Sequence, residues 1–360
     1  MSGRVAVAFR AKRPMNYEMF RPYHERLRAD PRFDVTLYGK GQGHSDLSVL
    51  EAALPARRRP NWLCKWSAPD VLFSADFLLP THRAKLSIQI FHGTSIKNYE
   101  LNERVHDYHA VFALGPYMIR RYVEKGFFEA GDPRLRQVGF AKTDRLTNGT
   151  LDARATREGH GLDPSRPTVL YAPSWGPESS LDQYGEALLA ALAGWGGNTL
   201  VKLHDNAYDS RYARRDWRAF LDGLVGPRFA APRVWDVIPL MHAADLLITD
   251  ISSVGFEFLQ VDRPLLFMDF PGQLVRWENA DLETWGRRTG TLAREPVELP
   301  AAIDRALASP REKSDIRRAA CADIYFNVGR ATEAGMAELY GLLGLLAPGR
   351  ERRPGAAASA

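Results

Sequence analysis

Residues 244–258 read ADLLITDISSVGFEF. Leu246, Leu247 and Ile248 form a continuous apolar run, the pattern of a strand buried on both faces. The run closes on Thr249 and Asp250, passes through Ser252 and Ser253, and resumes with Phe256 and Phe258. Serines at such a point are good helix N-caps. Strand, short polar turn and helix make half of a βαβ unit. A capped helix start at a strand's carboxyl end presents backbone N–H groups and positive potential, which suit an anion. Asp250, Ser252 and Ser253 are therefore candidate phosphate-site residues. A generic βα turn would use them as caps alone, but the tight Asp-x-Ser-Ser arrangement favours the anion site.

The same rhythm extends in both directions. Strands are expected at 4–9, 34–38, 71–74, 86–91 and 110–114, with helices at 17–29 and 117–125, the second ended by Gly126. Asn148, Gly149, Gly159, Gly161, Pro164 and Pro167 cluster in 146–167 and mark a boundary. The pattern restarts with strands at 168–172, 199–203, 244–249 and 265–269 and helices at 183–192, 209–221 and 253–260. Apolar strands alternating with helices imply parallel sheets covered on both faces. The expected architecture is two α/β lobes, residues 1–150 and 151–347, with a ligand between them at the strands' carboxyl ends. Residues 348–360 are small, basic and Pro/Gly-bearing, and are expected to be a disordered tail.

Composition narrows the classes. The 360 residues are 45% hydrophobic and 25% charged, which excludes collagen-like and wholly disordered chains. Cys64 and Cys321 are the two cysteines, too few and too distant for a disulfide framework or a zinc site. The N-terminus has too short an apolar run for a signal-peptide core, and no stretch approaches the roughly 20 apolar residues of a membrane span. The expectation is a soluble or peripheral cytoplasmic protein. Residues 1–150 carry 24 Lys and Arg against 15 Asp and Glu, whereas the remainder carries 24 against 28. The basic first lobe suits an anionic partner. Nothing resembles a nucleic-acid-binding signature, so nucleic acid is set aside as that partner.

Three further segments end strands with reactive side chains. His92 follows the strand at 86–91, Gly93 permits close backbone approach, and Lys97 lies on the next turn. An imidazole there suits proton transfer, although a lone histidine bonded to local backbone is an equally good reading. Lys202 and His204 share one face by alternation and can grip a diphosphate; exposed polar groups at a strand end are the alternative. Tyr171-Ala172-Pro173-Ser174-Trp175 can shape a base or sugar pocket, with Trp175 by itself read as a packed core or interface aromatic. P-loop, G-x-G-x-x-G and G-x-S-x-G patterns are absent.

Taken in order, several segments resemble the CDP-glycerol glycerophosphotransferase family of teichoic-acid-type polymerases and primases. They are His92-Gly93-Thr94 with Lys97, Gly139-Phe140-Ala141-Lys142-Thr143-Asp144, Tyr171 to Trp175, Lys202-Leu203-His204, and Thr249 to Ser253 with Phe256-Glu257-Phe258. Arg263-Pro264 and Asn327-Val328-Gly329-Arg330-Ala331-Thr332-Glu333 complete the series. The resemblance implies a GT-B fold of two Rossmann-like lobes and transfer of a polyol phosphate from a CDP-alcohol to a hydroxyl of an anionic polymer or lipid-linked acceptor, releasing CMP. It places His92 as general base, with His204 and Lys202 at the diphosphate. Asp250, Ser252, Ser253 and Ser174 fall around the donor nucleotide, and Thr94, Lys97 and Lys142 at acceptor or phosphate contacts. No cofactor is required on this reading, with Mg²⁺ left open. Three positions depart from the family's usual residues: Glu257 stands for Asp, Asp205 for the Pro after Lys-x-His, and Phe-Ala-Lys at 140–142 for a segment that often contains Pro-Arg. The rival readings are a GT-B glycosyltransferase or epimerase using a sugar nucleotide, and a non-catalytic polyanion-binding protein of envelope assembly. Peripheral contact with an acidic membrane through the helix at 17–29 (Met19, Phe20 and Tyr23 among arginines) is weighed against that helix simply packing on its sheet. The oligomeric state is left open.

Overall fold

The sequence VAVAFRA alternates small and large apolar side chains and builds β1 (Val5–Ala11), whose central residues are buried on both faces. The computed structural model describes residues 3–11, 14–39, 57–75, 77, 79, 81–93, 101–213, 215–273 and 286–348. The first sheet also contains β2 (Phe33–Gly39), β3 (Arg57–Pro60), β4 (Val71–Ser74), β5 (Leu86–Gln89), β6 (Ala110–Ala113) and β7 (Leu135–Gln137). Its spatial order is β3-β2-β1-β4-β5-β6-β7, and every pairing is parallel. Parallel neighbours require crossovers, so one face is covered by α1 (Pro14–Ala29). Met19, Phe20 and Tyr23 of α1 are buried. That settles α1 as a core helix and removes its apolar residues from any membrane.

The second sheet repeats the plan with β8 (Thr168–Tyr171), β9 (Asn198–Val201), β10 (Phe229–Ala230), β11 (Leu246–Thr249), β12 (Leu265–Met268) and β13 (Thr291–Ala293). Its order is β10-β9-β8-β11-β12-β13, again all parallel. Helices α3 (Ala153–Gly159), α4 (Ser180–Gly194), α5 (Trp217–Asp222), α6 (Ile238–Ala243), α7 (Ser253–Phe258) and α8 (Leu299–Ala308) flank it. In each sheet the strand order reverses beside the first strand, between β1 and β4 and between β8 and β11. At such a switch point the two connections leave on opposite faces and open a crevice at the carboxyl ends. Among the described residues no helix is long and apolar enough to cross a membrane.

The chain then returns to its beginning. After α9 (Ser314–Ile324), the segment crossing back lies on the first sheet, where the Phe326 N–H donates to the Leu114 carbonyl at 2.7 Å. Two glycines permit this approach. A Cβ on Gly115, the residue before α2 (Pro116–Glu124), would collide with the Ile324 carbonyl, and one on Gly139 with that of Phe326. Gly139 also has φ +96°, which side-chain-bearing residues rarely adopt. The Asp144 carboxylate then accepts from the N–H groups of Ala331 (2.9 Å) and Thr332 (2.7 Å) and from the Thr332 hydroxyl (2.6 Å). It thereby caps α10 (Ala331–Leu342), which packs on α1 through Gly335 and Tyr23. The Gly139–Asp144 and Asn327–Glu333 motifs are thus two halves of one fastening. Helix α10 sits with the first sheet and not with the second, to which its place in the chain assigned it.

Two local expectations change. The helix expected over 209–221 is a 3-10 turn at Asp205–Tyr208 and then α5 alone. Asp209 closes a turn on the N–H and guanidinium of Arg211, and Asp216 caps α5 by accepting from Arg218 and Ala219. Aspartate side chains compete with a helical backbone in this way. The boundary segment 146–167 contains α3, held to the second lobe where Arg157 donates to the Ala243 carbonyl and to Asp245. The tail at 349–360 lies outside the described residues.

Asp144→Ala should lose three hydrogen bonds to a buried carboxylate and destabilise the protein by on the order of 3 kcal/mol in urea unfolding. Asp144→Asn keeps one acceptor oxygen and should lose about half as much. Equal losses in the two variants would refute the capping role.

Candidate active site

At the switch point of the second sheet, β8 and β11 are neighbours, and the residues following them meet. Asp250 leaves β11 buried and braces the opposite turn. Its Oδ1 accepts from the Ser174 N–H, and its Oδ2 accepts from both the N–H and the hydroxyl of Ser180, each at 2.8 Å. The first turn of α4 is thereby locked to the end of β11. Asp250 is a brace and not a free acid. The Ser174 Oγ is enclosed and has no hydrogen-bond partner among the described residues. Ser252 caps α7, its Oγ accepting from the Val254 N–H at 3.5 Å, and half-buried Ser253 opens that helix. Helix α7 has only six residues. An anion there would meet local N–H groups and neighbouring cations more than a long helix dipole.

Lys202 and His204 lie past the end of β9. The Lys202 Nζ donates to the Leu203 carbonyl at 3.0 Å and meets Asp205 Oδ1 at 3.3 Å. Asp205, at the position where the family pattern has proline, therefore offsets part of the Lys202 charge. The His204 Nδ1 accepts from the Asn206 N–H at 3.1 Å. An accepting Nδ1 puts the proton on Nε2, making that nitrogen a donor. Trp175, 40% exposed, stacks on this imidazole with ring centroids 5.7 Å apart, and Tyr212 meets the indole edge-on. Trp175 holds the orientation of His204.

His92 lies past β5 on the first lobe. Its Nδ1 is 3.2 Å from the Ala75 carbonyl. A carbonyl only accepts, so Nδ1 carries a proton, and in the neutral ring the lone pair is on Nε2. Ala75 follows β4, so this bond places the imidazole at the switch point of the first sheet. The two histidines thus have opposite tautomers, a proton acceptor on the first lobe and a donor on the second. Thr94 and Lys97 lie outside the described residues.

The two carboxyl edges confront each other across a charged junction. The Lys142 Nζ contacts both carboxylate oxygens of Glu257 at 3.0 and 2.7 Å, with both side chains buried. Arg145 pairs with Asp236 at 2.6 Å, and Arg21 bridges Asp236 and Glu18. Each of these residues follows a strand's carboxyl end, in α1, after β7, after β10 or in α7. Lys142, expected at a phosphate, is committed to Glu257 instead. Two of the departures from the family pattern are therefore partners. Glu18 is packed in this junction. Burial first, and the nearby Asp236 charge second, raise its pKa from 4.5 to about 7 against the opposing pull of Arg21, Lys142 and Arg145.

A recess of about 340 Å³ beside β11 and β12 is lined by Asp250, Phe256, Asp269, Gln273 and Arg287. Asp269 is buried there and pairs with Arg287 at 2.5 Å. Sequence reading passed over Asp269, Gln273 and Arg287. The available signal was that Asp269 ends a strand in the way Asp250 does. A second recess, of about 480 Å³, lies beside Lys202 and Arg233. Among the described residues no group of three or more His, Cys, Asp or Glu is placed to hold a metal ion.

Residues 70–273 match the sequence model of the CDP-glycerol:poly(glycerophosphate) glycerophosphotransferase family. No curated protein sequence matches the chain. Among solved structures, a form of the wall teichoic acid polymerase TagF superposes with a TM-score of 0.70 at 16% identity, covering 95% of this chain and 89% of that one. A UDP-N-acetylglucosamine 2-epimerase superposes with a TM-score of 0.61 at 14% identity, covering all of both chains. The Neisseria meningitidis UDP-GlcNAc 2-epimerase bound to UDP-GlcNAc gives 0.59 at 12% identity, covering 93% of this chain and 99% of that one. At these identities the likeness is one of fold, the two-lobed GT-B type.

Lys142→Met should strand the buried Glu257 charge and cost about 3–5 kcal/mol, most of it recovered in the double variant with Glu257→Gln. Additive losses in a double-mutant cycle would show that the two side chains do not act as a pair. A carboxyl whose pKa is higher in the native state than in the unfolded one makes stability fall as pH rises between the two values. For Glu18 that window runs from 4.5 to about 7. Glu18→Gln should match the wild type near pH 4, be more stable than it at pH 8, and flatten the decline between, as read by denaturant titrations across pH.

Proposed function

The chain belongs to the CDP-glycerol:poly(glycerophosphate) glycerophosphotransferase family, and we propose that it moves a glycerol phosphate, or a related polyol phosphate, from a CDP-alcohol to a hydroxyl of a cell-envelope polymer or lipid-linked acceptor, releasing CMP. The observations that carry the residue roles are the two imidazole contacts, the His92 Nδ1 on the Ala75 carbonyl on one lobe and the His204 Nδ1 on the Asn206 N–H on the other.

In the proposed reaction the acceptor hydroxyl gives its proton to His92 Nε2 while its oxygen attacks the phosphorus that bears the polyol. A new P–O bond forms, and the bond from that phosphorus to the bridging oxygen breaks. The electron pair leaves on CMP. Phosphoryl transfer of this kind is governed by positioning and charge neutralisation. Lys202 and the His204 Nε2–H supply donors to the departing phosphate. Ser174, Ser253 and the N–H groups at the start of α7 surround the nucleotide phosphate, and Asp250 keeps that turn rigid. The excess of cations in the first lobe supports an anionic acceptor. The proposed workplace is the cytoplasmic face of the membrane, with the protein attached peripherally. Protein cations supply the countercharge in this scheme, and activity with and without EDTA tests for a contribution from Mg²⁺.

A thermal-shift series with CMP, CDP-glycerol, CDP-ribitol, UDP-GlcNAc and GDP-mannose tests the donor class. A ligand of the native state at 100 times its Kd stabilises by about 2.7 kcal/mol. Cytidine nucleotides should raise Tm, and His204→Ala should diminish the rise. Stabilisation by UDP-GlcNAc alone would move the chain to a sugar-nucleotide enzyme. No shift with any nucleotide, together with retained polyanion binding, would favour a non-catalytic role. His92→Ala should keep the CDP-glycerol shift and lose about 10²–10⁴-fold in CMP release with acceptor present; near-normal turnover would remove His92 as the base.

A further inference from the structure

The connection from β3 to β4 crosses the face of the first sheet opposite α1. In place of a full crossover helix it carries a 3-10 helix, Asn61–Trp66. Cys64 turns inward and is buried with Ala8, Tyr38, Leu72 and Ala84. Leu63 packs against the same cluster, while the outer side of the helix presents two indoles, Trp62 at 63% and Trp66 at 64% exposure. Trp195 and Trp217, by contrast, are buried in the second lobe. Among the described residues, Trp62 and Trp66 are left largely open on one short helix.

The surroundings are basic. Arg59, Lys65, Arg83 and Lys85 are all exposed. The Lys65 Nζ lies 5.1 Å from the Trp66 ring centroid, and the Arg83 guanidinium reaches the Trp66 carbonyl. Asp70 is the one acidic residue in 57–70 and 81–85, and Lys85 neutralises it at 2.7 Å. The helix begins at the carboxyl edge of the sheet, where Arg10 of β1 donates to Asn61 Oδ1 at 3.2 Å.

We infer that this face docks on an anionic lipid bilayer, with Trp62 and Trp66 at the headgroup boundary and Arg59, Lys65 and Arg83 against lipid phosphates. An indole is a flat apolar body with one N–H donor, and it settles where hydrocarbon meets water. Basic side chains are drawn to an anionic leaflet. Stable peripheral attachment needs two such signals, and this patch has both. A soluble polyanion would satisfy the cations but give the indoles nothing to enter. The docking surface gives a location to the membrane attachment in the proposed function and rests on that reading for its purpose.

Flotation of the full chain with phosphatidylcholine vesicles containing about 30% phosphatidylglycerol, against vesicles of phosphatidylcholine alone, tests the surface. The wild type should float with the anionic vesicles and release at high salt. Trp62→Ala with Trp66→Ala should reduce the bound fraction about tenfold, as should Lys65→Glu with Arg83→Glu. Both pairs are surface substitutions and should keep the wild-type Tm and its CDP-glycerol shift. Absence of wild-type flotation, or flotation of the tryptophan double variant at the wild-type level, overturns the proposal. So does binding of soluble poly(glycerol phosphate) without flotation, which would assign the patch to a polymer. Loss of the CDP-glycerol shift in the wild type would instead overturn the donor reading and leave the vesicle result standing.

Discussion

A carboxylate removed from water has to meet a cation, and Glu257 of the second lobe meets Lys142 of the first. The charges hold because each has its partner, and losing one would leave the other stranded in a medium that solvates it poorly. Around them Arg145, Asp236, Arg21 and Glu18 extend the same constraint. All of these groups follow the carboxyl ends of strands, so satisfying their charges turns the two sheets' carboxyl edges toward one another. A site divided between the lobes depends on that orientation.

Aspartates do the local work that the junction does globally. Asp250 ties the turns after β8 and β11, Asp144 ties the returning chain to the first lobe, and Asp245 holds α3 through Arg157. Each carboxylate accepts two or more donors, which converts a loop that would otherwise fluctuate into a fixed frame. Preorganised donors are what phosphoryl transfer needs, since its barrier is lowered by charges already in place. His204 is oriented by a backbone N–H and the Trp175 ring, and His92 by the Ala75 carbonyl.

Much of this architecture is legible in the chain because parallel strands buried on both faces are nearly continuous apolar runs. Leu246 to Ile248, Val71 to Phe73 and Val169 to Leu170 announce themselves in that way. Thr249-Asp250-Ile251-Ser252-Ser253 identifies a βα turn because serine and aspartate are cap formers. Less legible are short elements whose ends are set by a side chain, such as α5, begun by Asp216, and edge strands such as β3 and β13, whose residues lack an apolar run. The resemblance puts Lys142 at an acceptor or phosphate contact, and its pairing with Glu257 is invisible in the motif because the partner lies far along the chain. Asp269 and Arg287 gave no motif, and their pairing joins residues far enough apart that local pattern says nothing of it.

From sequence alone come the α/β class, the two parallel sheets and the residue types gathered at strand ends, because these rest on local propensity and periodicity, and the family resemblance, because it rests on short motifs in order. Tertiary structure alone decided which of those residues are braces and which present reactive atoms. It made Asp250 a staple and Lys142 a counter-ion, set His92 and His204 as opposite tautomers, returned α10 to the first lobe, and left Trp62 and Trp66 in the open. The physical reason is that a side chain's charge state, tautomer and exposure depend on partners the chain brings from elsewhere.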